Sequence, residues 1–568
     1  MMKYGTFTLS VYITVSDMHS LFDSPGNAEE RFAFFEKHLR VGKVYLEAFR
    51  ADTTPKPLLD KAKAFFAAKN IAFATGIMPV TRSKNVGGMF CFSDPKTADE
   101  FDAVFTYMAE NFDEIMIDDS LATNCTCDLC REAKGDADWS DFRRAQLTKF
   151  CKEHIIAPAK KANPHVKLTL KYPTWHESFQ RLGYDTEHQP PLFDETYSGT
   201  ETRHTSYSLF RNPRYTSYSL LRYLQSLPPH NNRGAWFDNI QCGGSVDIYL
   251  EQAELTLMAA PQEVTLFCFG ILENKKEIGA LGILLDQLDD SLSKLDAPTG
   301  LPVYLPFHST GEDHVFDFLG MCGVPADPCA VYPEEAPMVL LTAASAKDPA
   351  LYDKVKAHLE KGGDVCLTAG CLEALQDKGF AEFTGIRATN RSQLGSEFGG
   401  FDTGWSDDVA YYHAAREISL PVMDWMTNEV VFKAMQMRES MPNILLAFCR
   451  YANGRIFVLN VPDSFSDYME IPGPVLSYVR KNLSVGLPCW LEGDANIAFF
   501  PRKGNSVALR SFMDHGSVAH LHVKGSAGPL VCTLTGRKIP PLYEQNGETV
   551  YRLVVKPNAL GIYTWQNT

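Results

Sequence analysis

Hydrophobic and polar residues follow two alternating patterns along the first 298 residues of the chain. Short apolar runs with strand character recur eight times, and segments between them carry apolar residues three or four positions apart. Strands that alternate with amphipathic helices predict parallel β/α units, and eight such units predict a closed (β/α)8 TIM barrel. The predicted strands are 8–15, 43–50, 71–78, 114–118, 167–172, 192–196, 234–238 and 264–270.

The pattern changes after a short linker at 296–300. Residues 301–483 predict a second α/β domain, with strands at 338–343, 364–369 and 455–460 and helices at 351–361 and 473–482. From 484 to 568, short alternating strands are separated by turns rich in Gly, Pro and Asn, which predicts a small β-sandwich-like domain. The sequence therefore predicts an α/β barrel followed by an α/β domain and an all-β domain.

Composition restricts the partners of this 568-residue chain. A formal net charge of −15 argues against nucleic acid, because phosphate binding needs a basic surface. The apolar run at 6–15 lacks a following cleavage site and is interpreted as a first strand, and no apolar stretch approaches the roughly 20 residues that span a membrane. Most of the fourteen cysteines stand singly in apolar segments, as reduced thiols do. We expect a cytoplasmic protein with neither a nucleic-acid nor a membrane partner.

Charged and aromatic side chains gather where the predicted barrel strands end, and such ends carry the chemistry of barrel enzymes. Sugars stack on Trp and Tyr while charged groups hold their hydroxyls, and glycoside cleavage needs two carboxyl groups that flank one bond. The predicted site residues are Glu47, Arg50, Asp118, Asp119, Lys171, Tyr172, Trp175, Glu195, Glu201, Arg203, Trp236 and Asp238.

Other interpretations of these residues remain open. Acids at strand ends also cap the helices that follow. The adjacent pair Asp118 and Asp119 favours a site, because neighbouring like charges are costly unless a cation or a substrate needs them. The polar run 194–203 favours a loop that lines the site. Trp175 and Trp236 fit either the core or a sugar platform.

Four thiols predict a metal site beside the acidic pair. Cys125, Cys127 and Cys130 lie within six residues, and Cys91 lies after the preceding predicted strand. Four thiolates suit Zn2+ in a closed, structural, tetrahedral site, which leaves no position for a substrate. The alternative is a reduced loop of unligated thiols. No organic cofactor is expected.

These features resemble glycoside hydrolase family 42, the β-galactosidase group. In that family, the fourth barrel strand ends in the acid/base and is followed by a Cys-x-Cys-x-x-Cys zinc loop, with a fourth cysteine after strand three, as at Cys91 here. A domain similar to class I glutamine amidotransferases follows, which the stretch 354–368 resembles, and then a small β domain. The resemblance implies a retaining mechanism, an oligomer-forming middle domain and a homo-oligomer, a trimer by analogy.

The chain departs from that family at its catalytic positions. The family ends strand four in Asn-Glu, where this chain has Asp118 and Asp119, so Asp119 would be an acid/base that is one methylene shorter. The family's nucleophile is a Glu after strand seven, where this chain offers Asp238. In the middle domain, Cys371 lacks a His/Glu pair at suitable spacing. The resemblance therefore implies a divergent relative and does not imply β-galactosidase activity.

The sequence predicts a glycoside hydrolase whose catalytic pair is Asp119, with Asp118 beside it, and Glu195, with Asp238 in reserve. An oligosaccharide, polysaccharide or simple glycoside would be its substrate. One alternative is an α-glycosidase with Asp118 as nucleophile and Glu195 as acid/base. A second alternative is a catalytically silent carbohydrate-binding barrel, which the short Asp119 side chain motivates.

Overall fold

The computed structural model describes residues 3–80, 89–206, 208, 211–401 and 409–567. The chain forms two compact units. The first comprises Met1–Asn212 and Thr216–Ser293, and the second comprises Pro213–Tyr215 and Lys294–Thr568. The predicted domain boundary at 298 falls close to this division, and a boundary at 483 within the second unit stays a prediction. No helix in the described parts of the chain has the length and apolar character that crossing a membrane requires.

The first unit is a closed barrel of eight parallel strands in sequential order, as the alternating pattern predicts. The strands are β1 Thr8–Ile13, β2 Val41–Arg50, β3 Ala72–Met78, β4 Glu114–Ile117, β5 Lys167–Tyr172, β6 Glu195–Gly199, β7 Asn232–Asp238 and β8 Glu263–Phe267. The helices around it are Val15–Phe22, Asn27–His38, Lys56–Ala68, Pro95–Asn111, Asp128–Lys134, Trp139–Phe150, Cys151–Ile156 (π), Ala157–Ala162, Phe179–Leu182, Thr216–Ser226, Val246–Met258, Phe269–Leu272 and Lys276–Leu292, with 3-10 turns at His176–Ser178 and Pro190–Leu192.

The sixth strand begins three residues later than the pattern 192–196 predicts. Pro190–Leu192 forms a 3-10 turn, because two prolines lack the N–H groups that a strand ladder requires. Pairing with β5 then aligns Glu195 with Thr169 and Tyr197 with Lys171. Tyr197 consequently points into the barrel, and Glu195 becomes the first residue of β6.

Aromatic side chains fill the barrel interior. Tyr12, Tyr45, Tyr197 and Trp236 belong to one buried cluster inside the barrel. The rings leave little free space, because a Cβ atom added at Gly76 would overlap the Tyr12 ring. This filled interior closes the barrel below its carboxyl-terminal end, so any reaction site must lie above it.

The described residues of the second unit form three sheets. A nine-stranded mixed sheet has the order β10-β9-β11-β12-β17-β16-β15-β13-β14. Its strands are β9 Leu301–Tyr304, β10 Ala326–Cys329, β11 Met338–Leu341, β12 Asp364–Thr368, β13 Ile386–Gly400, β14 Tyr411–Trp425, β15 Val431–Arg438, β16 Met441–Tyr451 and β17 Gly454–Leu459. The helices are Val315–Met321, Leu351–Glu360, Ala369–Leu375 and Gly473–Leu483, with 3-10 turns at Ala343–Lys347, Phe380–Glu382 and Phe465–Glu470.

Two further sheets form the carboxyl-terminal all-β region, as the sequence predicts. The four-stranded sheet has the order β18-β21-β25-β24, and the five-stranded sheet has the order β19-β20-β26-β22-β23. Alternate residues of the two sheets form a shared apolar core. The strands are β18 Cys489–Glu492, β19 Ile497–Pro501, β20 Ser506–Ser511, β21 Ser517–Lys524, β22 Leu530–Cys532, β23 Lys538–Ile539, β24 Tyr543–Gln545, β25 Glu548–Val555 and β26 Leu560–Thr564.

Candidate active site

A buried lysine connects three carboxylates at the carboxyl-terminal end of the barrel. Lys171 is the penultimate residue of β5, and its side chain is fully buried. Its Nζ atom lies 3.1 Å from Asp118 Oδ1, 3.2 Å from Asp119 Oδ2 and 3.4 Å from Glu201 Oε1. Although burial opposes its charge, these three carboxylates raise the pKa of Lys171, so that it remains an ammonium ion. Side chains from the ends of β4, β5 and β6 therefore meet at one point.

The two adjacent aspartates occupy different environments. The Asp118 backbone N–H donates to Ile77 O, which extends the β4 ladder and buries the Asp118 side chain. Burial raises the pKa of Asp118 to about 7, although the Lys171 ammonium opposes this effect. The Asp119 side chain is 29% exposed, and Tyr184 holds its backbone by donating a hydrogen bond to Asp119 O at 2.7 Å. Asp119 is thus the acid of this pair that faces solvent, and Asp118 retains a proton at neutral pH more readily than an ordinary aspartate.

Glu201 folds back over the end of β6. Its Oε1 atom accepts hydrogen bonds from Lys171 Nζ and, at 3.0 Å, from Trp236 Nε1. Its Oε2 atom is buried and has no hydrogen-bond partner among the described residues. This position requires glycine at 199, because a Cβ atom there would lie 2.5 Å from Glu201 Oε2. Glu201 therefore presents one occupied and one unoccupied carboxylate oxygen.

Asp238 forms a second ion pair at the end of β7. Arg203 donates to both of its oxygens, with Nε–Oδ1 3.1 Å and Nη2–Oδ2 2.6 Å. Burial raises the pKa of Asp238 to about 6, although Arg203 lowers it. Gln252 fixes this pair by accepting from Arg203 N and donating to Asp238 O. Ile240 N also donates to Asp238 Oδ1 at 2.9 Å.

Glu47 is held entirely by protein groups. It is fully buried and accepts hydrogen bonds from Tyr12 OH at 3.1 Å, from Val15 N at 2.9 Å and from Arg50 Nε at 3.0 Å. The Arg50 side chain is 35% exposed. Of these two predicted site residues, Arg50 is therefore the one with substantial solvent access.

The predicted aromatic residues divide between core and site. Tyr172 is fully buried against Phe179 and Tyr184, so that it belongs to the core. Trp175 packs edge-on against the same two rings and is partly exposed. Trp236 is 3% exposed, and Lys171 Nζ lies 3.7 Å from the centroid of its ring. Trp236 thus supports Lys171 and Glu201, and Trp175 is the tryptophan of the two with a more open surface.

Glu195 lies at the amino-terminal end of the barrel. Its predicted place at the mouth, the carboxyl-terminal end where Lys171 meets its carboxylates, is therefore wrong. As the first residue of β6, it accepts a hydrogen bond from Arg233 at 2.8 Å. Arg233 also contacts Glu263, which pairs with Lys43 near the amino-terminal ends of the strands. Glu195 therefore belongs to a structural ion network, and the α-glycosidase alternative loses its acid/base.

Sequence reasoning missed the residues that position the site. Tyr184, Gly199 and Gln252 contribute a hydrogen bond or space and no charge at the mouth. Gly199 carries one signal, because a glycine inside the predicted polar run 194–203 indicates close approach of another group. Tyr184 lies in a loop, and Gln252 lies in helix Val246–Met258. Hydrophobic periodicity alone gives both residues a role in packing.

The four predicted cysteines converge into one cluster. The Cys91 Sγ atom lies 3.6 Å from both Cys127 Sγ and Cys130 Sγ, and the four sulfur atoms all lie within 4.8 Å of one another. A tetrahedron with Zn–S bonds of about 2.3 Å has sulfur–sulfur edges of roughly 3.8 Å. The loop that carries them is held by Thr123, which accepts from Cys125 N and donates to Phe90 O. The cluster therefore has the donor set and the dimensions of a metal site.

Family comparisons match two separate stretches of the chain. Residues 1–280 match the family described as probable glycosyl hydrolase, catalytic domain, and residues 297–464 match the second domain of uncharacterized protein SSO3021. That protein, from Saccharolobus solfataricus, is 26% identical over 320 residues, which cover 48% of this chain and 52% of its own length. The matched region thus spans about half the length of this curated relative.

Solved structures share the fold of the entire chain. A β-galactosidase from Bacillus circulans sp. alkalophilus superposes with a TM-score of 0.64 at 13% identity, covering 99% of both chains. Gan42B, a GH42 β-galactosidase from G. stearothermophilus, superposes with a TM-score of 0.64 at 10% identity, covering 99% of this chain and 98% of its own. The chain thus shares the fold of these β-galactosidases, and its first 280 residues are similar to the catalytic domain of probable glycosyl hydrolases.

Proposed function

We propose that this chain hydrolyses glycosidic bonds with Asp119 and Glu201 as its catalytic carboxyl groups. The observation that carries the proposal is the contact of both side chains with one buried ammonium, Lys171 Nζ, at the carboxyl-terminal end of the barrel. Side chains from two different strand ends thereby face one space, as cleavage of an acetal between two carboxyl groups requires.

The two carboxyl groups differ in a way that suits different roles. Glu201 Oε1 accepts from Lys171 and Trp236, which leaves Oε2 to attack the anomeric carbon or to activate water. Asp119 is the more exposed group, and it matches the acid/base position of the GH42 resemblance, so it would donate the proton to the leaving oxygen. Contact with the same ammonium favours the short separation of about 5 Å that retaining enzymes use over the roughly 6.5–9.5 Å of inverting ones.

Asp238 is the second candidate for the carboxylate that faces Asp119. It ends β7, where the resemblance places the nucleophile, and Arg203 holds it as an ion pair. Its two oxygens, however, both accept from Arg203, whereas Glu201 keeps one oxygen without a partner among the described residues. We therefore place Glu201 first. Arg50, Trp175 and Arg203 would hold the sugar.

Turnover of a panel of nitrophenyl glycosides by four variants of the full chain tests this assignment. The variants are Asp119→Asn, Glu201→Gln, Asp238→Asn and Glu195→Gln. Asp119→Asn and Glu201→Gln should each lower kcat by roughly 100- to 10,000-fold. Glu195→Gln is the matched control, because it removes one charge from the same strand segment at the other end of the barrel. It should retain kcat within about threefold of wild type.

Three results would contradict the proposal. If Asp238→Asn abolishes turnover and Glu201→Gln does not, the pair lies on strands four and seven. If Glu195→Gln lowers kcat as strongly as Asp119→Asn, the mouth is not the reaction site. If wild type turns over none of the panel although sugars bind to its first unit, the barrel is a silent carbohydrate-binding domain. NMR of the first-formed anomer tests retention.

We further propose that Cys91, Cys125, Cys127 and Cys130 hold a structural Zn2+, which their sulfur–sulfur distances support. Four thiolates would complete the coordination, so the metal would pin the loop after β4 and take no part in bond cleavage. A homo-oligomeric state, a trimer by analogy with the family, stays a prediction for sedimentation to test, as does the cytoplasmic location.

A further inference from the structure

A polar cavity of 320 Å³ lies in the second unit, between helix Gly473–Leu483 and the four-stranded sheet β18-β21-β25-β24. Its floor is the face of this sheet that points away from the β-sandwich core. Leu491, Leu521 and Tyr551 belong to that core, so their neighbours Trp490, His522 and Val550 point to the opposite face. The helix covers part of this face and leaves the cavity between them.

A single row of side chains crosses all four strands of the floor. Trp490 pairs with His522, His522 pairs with Val550, and Val550 pairs with Tyr543. The Trp490 and His522 rings stack with centroids 3.8 Å apart. Glu548 locks both rings, because its Oε1 accepts from Trp490 Nε1 at 3.0 Å and its Oε2 lies 3.1 Å from His522 Nδ1. The aromatic floor is thus held rigidly before any ligand arrives.

The polar groups around this floor carry no excess of positive charge. Glu492 Oε2 lies 3.1 Å from His522 Nε2, so a carboxylate oxygen lies within hydrogen-bonding distance of each imidazole nitrogen. The carboxylates of Glu492 and Glu548 also offset the ammonium group of Lys481 in the cavity lining. A cavity without excess positive charge does not select phosphates or other anions. Its carboxylate oxygens instead offer acceptor sites to a ligand that is rich in hydroxyl donors.

The outer wall of the cavity supplies an exposed aromatic ring and amide groups. Tyr543, on the edge strand β24, is 44% exposed and lines the cavity beside Gln545 and Asn546. Aromatic faces together with carboxylate and amide groups are the combination that holds sugar rings and their hydroxyls. The volume lies near the lower end of the roughly 300–1,000 Å³ of small-molecule sites, which suits one or two sugar units.

We propose that this cavity is a second, non-catalytic binding site for a neutral mono- or disaccharide, with Trp490 and Tyr543 as its aromatic surfaces and Glu492 and Glu548 as its hydroxyl acceptors. The site is independent of the proposed hydrolysis, since all of its side chains belong to the second unit.

Saturation-transfer NMR titrations of the full chain test the proposal, with D-galactose, D-glucose, D-mannose, D-xylose and lactose as probes. All titrations use the Asp119→Asn background to prevent turnover. Tyr543→Ala and Glu492→Gln should each raise the apparent Kd of at least one probe by at least about fivefold. Both substituted side chains are more than two-fifths exposed, so the fold should persist. Tyr411→Ala is the matched control, because Tyr411 is 43% exposed and does not line the cavity.

The proposal is overturned if no probe binds, if neither cavity variant weakens binding, or if Tyr411→Ala weakens binding equally. Hydrolysis of nitrophenyl glycosides by Tyr543→Ala, in the otherwise wild-type chain, should match wild type within about twofold. A chain that proves to have no hydrolase activity would still give either binding result, so the two proposals fail separately.

Discussion

The ammonium nitrogen of Lys171 lies 3.7 Å from the centroid of the Trp236 ring, and both side chains donate hydrogen bonds to Glu201 Oε1. The negative face of the indole and the three carboxylates therefore stabilise one buried positive charge. The positive charge of Lys171 offsets the repulsion between acids from separate strands. These acids can therefore lie close together although little solvent separates them.

Lys171→Met should disable the site and destabilise the barrel. Removing the cation leaves carboxylates buried without a partner, which costs about 3–5 kcal/mol in comparable cases. We expect kcat/KM to fall by roughly 100-fold or more, because Glu201 and Asp119 lose the group that positions them. Denaturant unfolding and steady-state kinetics measure both effects. Lys167→Met, at the exposed other end of β5, is the control and should change neither.

Gly199→Ala should displace Glu201 with little effect on the rest of the barrel. The added Cβ atom would lie 2.5 Å from Glu201 Oε2, so the carboxylate must leave its position over the end of β6. We expect kcat to fall by roughly 100-fold while the far-ultraviolet circular dichroism spectrum is unchanged. Gly279→Ala is the control, since its nearest contact would be an ordinary 3.7 Å. Wild-type kinetics in Gly199→Ala would contradict a catalytic role for Glu201.

The raised pKa of Asp118 predicts a pH-dependent stability difference. Burial moves this pKa from 3.8 to about 7, so between these values the folded chain retains a proton that the unfolded chain has lost. Raising the pH through this window therefore destabilises the folded state, and Asp118→Asn removes this contribution. The free energy of unfolding of wild type should fall relative to Asp118→Asn, by on the order of 2–4 kcal/mol between pH 4 and pH 8.

Urea unfolding at intervals of one pH unit measures this difference. Asp136→Asn, at an exposed position, is the control. Its free energy of unfolding should differ from that of wild type by the same amount at every pH. A difference between wild type and Asp118→Asn that is constant with pH would show that Asp118 is ionised in the folded chain across the range.

Cys127→Ser should release the metal and loosen the loop after β4. Purified wild type should contain about one zinc per chain by elemental analysis, and the variant should contain far less. We expect the melting temperature to fall by roughly 5 °C or more, because the loop loses its cross-link. Cys532→Ser, a partly buried thiol outside the cluster, is the control. Wild-type protein without zinc or another divalent metal would remove the proposal.

The sequence alone was enough for the barrel, the order of its strands and the cysteine cluster. These features depend on periodicity and on short spacing, which are local properties of the chain. The position of Asp118 and Asp119 at the end of the fourth strand is likewise predictable, because the strand before them is a compact apolar run with a sharp end. The sequence also predicts Arg203 and Asp238 as site residues, but their pairing with each other appears only in the structure.

Tertiary structure decided which acid meets Asp119. Whether Glu195 or Glu201 reaches the mouth depends on where β6 begins, and that start is set by its pairing with β5 and by the turn at Pro190–Leu192. A shift of three residues moves a side chain by roughly 10 Å along a strand, enough to carry Glu195 away from the mouth. The contacts of Lys171 with acids at the ends of two other strands likewise arise only when the barrel closes, because no local pattern records which distant side chains share a register.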